Sequence, residues 1–191
     1  IVSRLQTWLA DARALRPVVR GVRVALVGPP NAGKSSLFNV LLERDRAIVD
    51  PEPGTTRDVV SDGTVLAGVN VTFVDTAGLR DDAGRVESAG IDRARAEIDA
   101  ADIVLFVHEG PDAPAWDMIR DPDLTIRSKA DRWDPDGEKR PIPDGTTIDT
   151  SIPDRRGIEA VRDRIADLAR QRVRQGRSAV ALLLGERQIA E

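Results

Sequence analysis

The stretch Gly28-Pro29-Pro30-Asn31-Ala32-Gly33-Lys34-Ser35 decides how this chain is read. It follows an apolar run, Val22 to Val27, and precedes a helix-like run, Ser36 to Leu42, the setting in which a G-x-x-x-x-G-K-[ST] segment forms a phosphate loop. Its glycines let the backbone curl so that successive N–H groups point at one anion, and the following helix adds its positive N-terminal end. A polyphosphate is the natural guest. Asn31, Ala32, Gly33, Lys34, Ser35 and Ser36 are the candidate nucleotide contacts, with Lys34 reaching the terminal phosphates and the Ser35 hydroxyl ligating magnesium.

Composition bounds what surrounds this loop. A chain of 191 residues, 41% hydrophobic and 31% charged, is long enough for one well-buried domain. No apolar run approaches the ~18 residues needed to cross a bilayer, so a cytoplasmic chain without membrane contact is expected. With no cysteine and only His108, disulfides, thiolate metal sites and histidine cages are excluded, and any metal must be held by oxygen. The net charge of −4 and a pI near 5.2 argue against this segment gripping nucleic acid electrostatically. RNA, where involved, is expected to bind elsewhere. There are 25 arginines and only three lysines, Lys34, Lys129 and Lys139. In such a composition a retained lysine marks a place that needs a compact ammonium, and two of the three fall in candidate nucleotide motifs.

Outward from the loop, strand-like runs appear at Val22–Val27, Val59–Leu66, Val71–Asp75, Ile103–Val107, Leu124–Arg127 and, more weakly, Thr146–Thr150. Helical runs intervene at Ser35–Leu42, Glu87–Ala100 and Gly157–Val173. This alternation predicts a doubly wound α/β fold, a mostly parallel six-stranded sheet with helices on both faces and ligands at the carboxyl ends of the strands. Residues 1–15 carry a helical apolar stripe through Leu5, Trp8, Leu9, Ala12 and Leu15. The run Arg132 to Asp144, rich in Pro, Asp and Gly, reads as a surface loop. His108 reads as a loop polar group after a buried strand, and Trp116 and Trp133 as caps on apolar patches. Ser178 to Glu191 looks helical and stops without a capping signal, as a longer chain cut short would.

Four further motifs carry chemistry. Gly54-Thr55-Thr56-Arg57-Asp58 offers hydroxyls after the phosphate loop, and Asp75-Thr76-Ala77-Gly78 ends a strand with a carboxylate and a glycine. Their order fits a switch GTPase, in which Thr56 joins Ser35 as a magnesium ligand, Asp75 holds a magnesium-bound water and the Gly78 N–H senses the γ-phosphate. Guanine needs a carboxylate for its N1–H and exocyclic amine. Ser128-Lys129-Ala130-Asp131 supplies Asp131 for that purpose and lays the Lys129 stem against the base. Ser128 stands where an asparagine normally ties the base loop to the phosphate loop, and a hydroxyl can make only part of that bond set, predicting lowered guanine affinity. Ser151-Ile152-Pro153 completes the base site, with Ile152 contributing its backbone N–H.

On Arg46-Ala47-Ile48-Val49, Gly54-Thr55-Thr56-Arg57-Asp58 and Asp75-Thr76-Ala77-Gly78-Leu79-Arg80 the chain resembles the TrmE–Era–EngA group of GTPases. The runs Val86-Glu87-Ser88-Ala89-Gly90-Ile91-Asp92-Arg93-Ala94-Arg95 and Ala101-Asp102-Ile103-Val104-Leu105 most resemble its tRNA-modifying MnmE (TrmE) branch. The resemblance runs from Leu5 to Leu168 and weakens after His108. It implies a P-loop NTPase G domain over residues 21–175, with residues 1–20 and 176–191 as stubs of a flanking helical domain. It also implies GTP as substrate, GDP as product, a G-domain homodimer, an FAD protein of the MnmG (GidA) type as partner, and tRNA bound through other domains.

Ras-like GTPases orient the attacking water with a glutamine directly after this glycine, where the present chain has Leu79. The MnmE pattern assigns that work to Glu87, acting through a bridging water. It further implies potassium beside the phosphates, coordinated by Asn31 and by backbone carbonyls at Asp50 and Glu52, where Pro51 and Pro53 stiffen the loop. Such an ion would neutralise charge developing on the transferred phosphoryl. Two other readings stay open from sequence: a ribosome-assembly GTPase of the EngA or Era kind, and a nucleotide-holding regulator with little turnover.

Overall fold

Val22–Val27 and Ile103–Glu109 form the two central strands, β1 and β4, because their near-continuous apolar sequence suits a strand covered on both faces. The computed structural model describes residues 15–43, 61–75, 95–114, 120–136 and 145–189. In chain order the elements are a helix through residues 15–20 (α1), β1, α2 (Lys34–Glu43), β2 (Ser61–Leu66) and β3 (Val69–Asp75). A helix through residues 95–100 (α3), β4, β5 (Leu124–Ser128), α4 (Ala130–Trp133), β6 (Thr147–Asp149) and α5 (Ile158–Ile189) follow. The six strands lie in the order β2-β3-β1-β4-β5-β6. Only β2 runs against its neighbour, joined to β3 by Ala67 and Gly68, whose φ of 48° and 79° are the signs a tight hairpin requires.

Alternation along β1 divides the core between two faces. Val24 and Leu26 point to the face covered by Leu37, Phe38, Leu41 and Leu42 of α2 and by Val161, Ile165 and Ala169 of α5. There Phe38 and Phe73 meet edge to face at 6.4 Å. Ala25 and Val27 point to the opposite face, with Val104, Phe106 and, from α3, Ile98. The last carbonyls of a helix lack intrahelical donors; the final carbonyl of α3 and the two just beyond it are met by arginines. Arg16 donates to Ala100 O at 3.0 Å, Arg120 to Ala101 O at 3.2 Å and Arg172 to Asp102 O at 2.9 Å. Three cations thus sit at the negative end of the helix dipole. The expected doubly wound, mostly parallel six-stranded sheet with helices on both faces is the fold observed.

Three local expectations change. His108 is not in a loop: β4 continues through Glu109, because His108 and Glu109 stay paired in register with Arg127 and Ser128 of β5. Residues 132 and 133 are not loop but close the short helix α4, where Asp134 N–H donates to Ala130 O at 2.8 Å. α5 outruns the Gly157–Val173 pattern and continues to Ile189.

Candidate nucleotide site

The phosphate loop leaves the carboxyl end of β1 between β3 and β4, where strand order reverses. Gly28 has φ 143°, and a β-carbon built there would lie 1.9 Å from Val107 O, so only glycine fits against the neighbouring strand. Asn31 and Gly33 are also at positive φ, 60° and 89°, and curl the loop toward the start of α2. Lys34 is buried within this curl, its Nζ donating to Gly28 O at 3.1 Å and Pro29 O at 2.7 Å. A compact ammonium on a flexible stem suits that space better than a planar guanidinium. Asn31, Ser35 and Ser36 are exposed, and Ala32 is buried.

The base loop begins where β5 ends. Ser128 is buried and its Oγ lies 2.6 Å from Ala32 O and 3.1 Å from His108 O. A hydroxyl has one proton, so the shorter contact to Ala32 is the bond that ties base loop to phosphate loop. The sequence expectation that serine makes part of that tie is met, and the part it makes is the connection itself. Lys129 adopts φ 56° as it opens α4, and its Nζ pairs with Glu109 Oε2 at 2.5 Å. The hydrogen bond from Lys129 is the largest cause holding the Glu109 carboxyl below its usual range. Asp131 follows in the first turn of α4, with Oδ1 buried and unpartnered among the described residues. A buried acceptor left without a donor costs roughly 1–3 kcal/mol, more when charged. Such an atom marks a place for a ligand's donor.

The second base segment is laced to the first. Thr150 N–H donates to Arg127 O at 2.8 Å, and Ala130 N–H donates to Thr150 O at 2.9 Å. Ser151 is fully buried, its Oγ on Asp154 Oδ2 at 2.7 Å and its N–H on Arg156 O at 3.0 Å. Ile152 packs, half-buried, against the core. Gly157 has φ 75°, and a β-carbon there would meet Asp149 O at 2.0 Å. Asn31, Ala32, Gly33, Lys34, Ser35, Ser36, Ser128, Lys129, Asp131, Ser151 and Ile152 therefore all belong to segments at the carboxyl ends of the strands. Asp75 ends β3 in register with Leu26 of β1. Asp50, Glu52, Thr55, Thr56, Gly78 and Glu87 lie outside the described residues, as does Trp116.

Sequence reasoning missed Trp133. Its Nε1 donates to Ser128 O at 2.9 Å, and the Arg127 guanidinium stands 5.4 Å from its ring centroid. Arg127 in turn makes a two-pronged pair with Asp149, at 2.5 and 2.9 Å. No sequence signal announces this: Arg127 and Asp149 become neighbours only through the register of β5 and β6. His108 is buried beside Phe106, ring centroids 5.4 Å apart, and burial lowers its pKa below the ordinary 6.5.

Among known proteins, residues 23–139, more than half of the chain, match the family described as 50S ribosome-binding GTPase. The tRNA modification GTPase MnmE of Novosphingobium aromaticivorans is 55% identical over 113 residues, which are 59% of this chain and 25% of that protein. MnmE of Azorhizobium caulinodans is 41% identical over 188 residues, 98% of this chain and 41% of its own. The chain spans less than half the length of either relative. Among solved structures, the FeoB G-domain of Methanococcus jannaschii has a TM-score of 0.50 at 18% identity, covering 78% of this chain and 98% of that one. That likeness concerns the fold alone.

Proposed function

Since the chain belongs to the family of 50S ribosome-binding GTPases and is a G domain homologous to MnmE, we propose that its GTP hydrolysis serves a tRNA wobble-uridine modification protein. The observation that carries guanine recognition is the unpartnered Oδ1 of Asp131, in a loop that Ser128 holds against the phosphate loop. Guanine presents two donors to a carboxylate, N1–H and the exocyclic amine, whereas adenine would leave the carboxylate unpaired. Lys34 and the N–H groups that open α2 offset charge on the phosphates.

Oxygen donors are what magnesium takes, and this chain offers the Ser35 hydroxyl at the start of α2, Asp75 at the end of β3 and Thr56 between them in sequence. Asp75 would act through a water. Magnesium there would neutralise charge on the β- and γ-phosphates. Potassium, held by Asn31 with carbonyls at Asp50 and Glu52, would take the place of an arginine finger. Glu87 orients the attacking water, since Leu79 has no group that can. A G-domain homodimer forms around the nucleotide and raises turnover. The full-length protein works in the cytoplasm with an FAD partner of the MnmG type and meets tRNA through domains other than this one.

Single-turnover hydrolysis by the full-length protein tests this reading. Turnover is expected to be faster in potassium than in sodium at equal ionic strength, and Asn31→Ala to abolish the difference. Glu87→Ala is expected to bind GTP nearly normally and lose ~10²–10⁴ in rate. A rate indifferent to the cation, or a Glu87→Ala rate within a fewfold of the parent, refutes the corresponding assignment. The family description favours one other reading, ribosome binding. Co-sedimentation with 50S subunits, together with unchanged wobble-uridine modification in cells lacking the gene, would establish it instead.

A further inference from the structure

Trp133 is five residues beyond Ser128, yet its indole folds back so that Nε1 donates to the Ser128 carbonyl at 2.9 Å. That bond closes a small ring of chain containing Lys129, held at φ 56°, and Asp131, whose Oδ1 is buried and unpartnered among the described residues. The Ser128 hydroxyl that reaches the phosphate loop has one proton and a second carbonyl, His108 O, within 3.1 Å to turn toward, so a bond that fixes the Ser128 backbone helps keep that proton on Ala32 O. The Arg127 guanidinium stands over the indole ring at 5.4 Å from its centroid, close enough for a cation–π contact. Both prongs of Arg127 are fixed on Asp149, at 2.5 and 2.9 Å. Asp149 precedes Thr150, which takes the Arg127 carbonyl, and Ser151. One chain of contacts, Ser128–Trp133–Arg127–Asp149, therefore runs behind both base-facing segments and meets the phosphate loop at one end, through the Ser128 hydroxyl on Ala32 O.

We propose that Trp133 is a positioning residue for base recognition: seated on Arg127 and Asp149, its indole N–H fixes the Ser128 carbonyl and so aims Asp131 at the base. This rests on the guanine-nucleotide reading above. The brace contributes to the affinity for the base half of the nucleotide and leaves the phosphate half alone.

Trp133→Phe in the full-length protein keeps the ring against Arg127 and deletes the donor. Losing one such bond is worth about fivefold in affinity. GDP binding by calorimetry is expected to weaken by about that factor and KM for GTP to rise with it, while kcat at saturation and the affinity for inorganic triphosphate, which sees only the phosphate loop, stay within twofold. Asp149→Asn, which leaves the tryptophan in place, is expected to give the same split. Combining Trp133→Phe with Ser128→Ala is expected to cost less than the sum of the two, because both changes release the same loop. Equal losses for GDP and inorganic triphosphate, strict additivity, or GDP affinity unchanged in both single variants would overturn the proposal. A parent that binds GDP and ADP equally would instead refute the guanine reading on which it rests.

Discussion

The Ser128 hydroxyl donates to the Ala32 carbonyl across 2.6 Å and so joins two loops that lie 96 residues apart in the chain. In the proposed reading one loop holds the phosphates and the other the base, so this bond would set the distance between the two halves of the nucleotide site. Its removal is felt twice: the base loop loses its tie, and Ala32 O loses its partner. Ser128→Ala is expected to weaken GDP binding by roughly 5- to 10-fold, the net worth of one buried hydrogen bond. Ser128→Asn supplies two amide protons where the serine has one, and is expected to tighten binding by no more than a fewfold, because the main connection is already made. Titration calorimetry with GDP decides both, and a Ser128→Ala protein binding as well as the parent would remove the tie from the account.

Asp131→Asn exchanges an acceptor-only group for one that also donates. The amide can no longer accept from both N1–H and the exocyclic amine of guanine, but it can donate to the carbonyl that xanthine carries in place of that amine. GDP affinity is expected to fall by about 10- to 100-fold, the range for a lost charge-assisted hydrogen bond, while xanthosine diphosphate gains. Competition of the two nucleotides for the variant gives the answer directly.

Gly28→Ala places a methyl carbon 1.9 Å from Val107 O at φ 143°, so either the loop or β4 has to move. The expected cost is roughly 2–4 kcal/mol of stability together with loss of nucleotide binding. Gly33→Ala is the control. Its added carbon finds Ser128 Cβ and Oγ at 3.9 Å, ordinary contact distance, and its penalty comes from φ 89° alone. Thermal melts of both, with and without GDP, should rank Gly28→Ala as the worse.

His108 supplies a pH dependence whose sign is fixed by burial, the largest cause lowering its pKa from 6.5. The folded domain resists protonating this ring, whereas the unfolded chain protonates it near the ordinary value. The contribution of neutral His108 to stability is therefore intact above pH 6.5 and is lost as pH falls from there through the folded value. His108→Phe, which keeps a ring beside Phe106, is expected to flatten the denaturant midpoint across that window. Equal acid sensitivity in parent and variant would show that other groups set it.

Local chemistry makes much of this domain legible in its sequence. Gly28, Gly33 and Lys34 announce a phosphate loop because no other residue types meet its backbone and charge requirements, and the continuous apolar runs of β1 and β4 announce strands covered on both faces. The strand bounds shift by one or two residues where pairing extends past the apolar pattern, as it does at His108 and Glu109 beside Arg127 and Ser128. Trp133 was illegible for a different reason. Its role depends on Arg127 and Asp149 being neighbours on adjacent strands, a fact of register that no periodicity in β6, three residues long, conveys. The lone proton of Ser128 was legible as chemistry, but which carbonyl would take it was decided by packing.

Gly157 sits at the entrance to α5, where any β-carbon would fall 2.0 Å from Asp149 O. Every single-base missense change in a glycine codon adds such a carbon, so no one-step route leads away from this position without displacing β6 and the Ser151 segment beyond it. In a mutational screen for lost nucleotide binding, Gly157 would score beside Asp131 while touching no part of the ligand. A hit there reports the path of the backbone, and a contact map drawn from such a screen would place the nucleotide too deep.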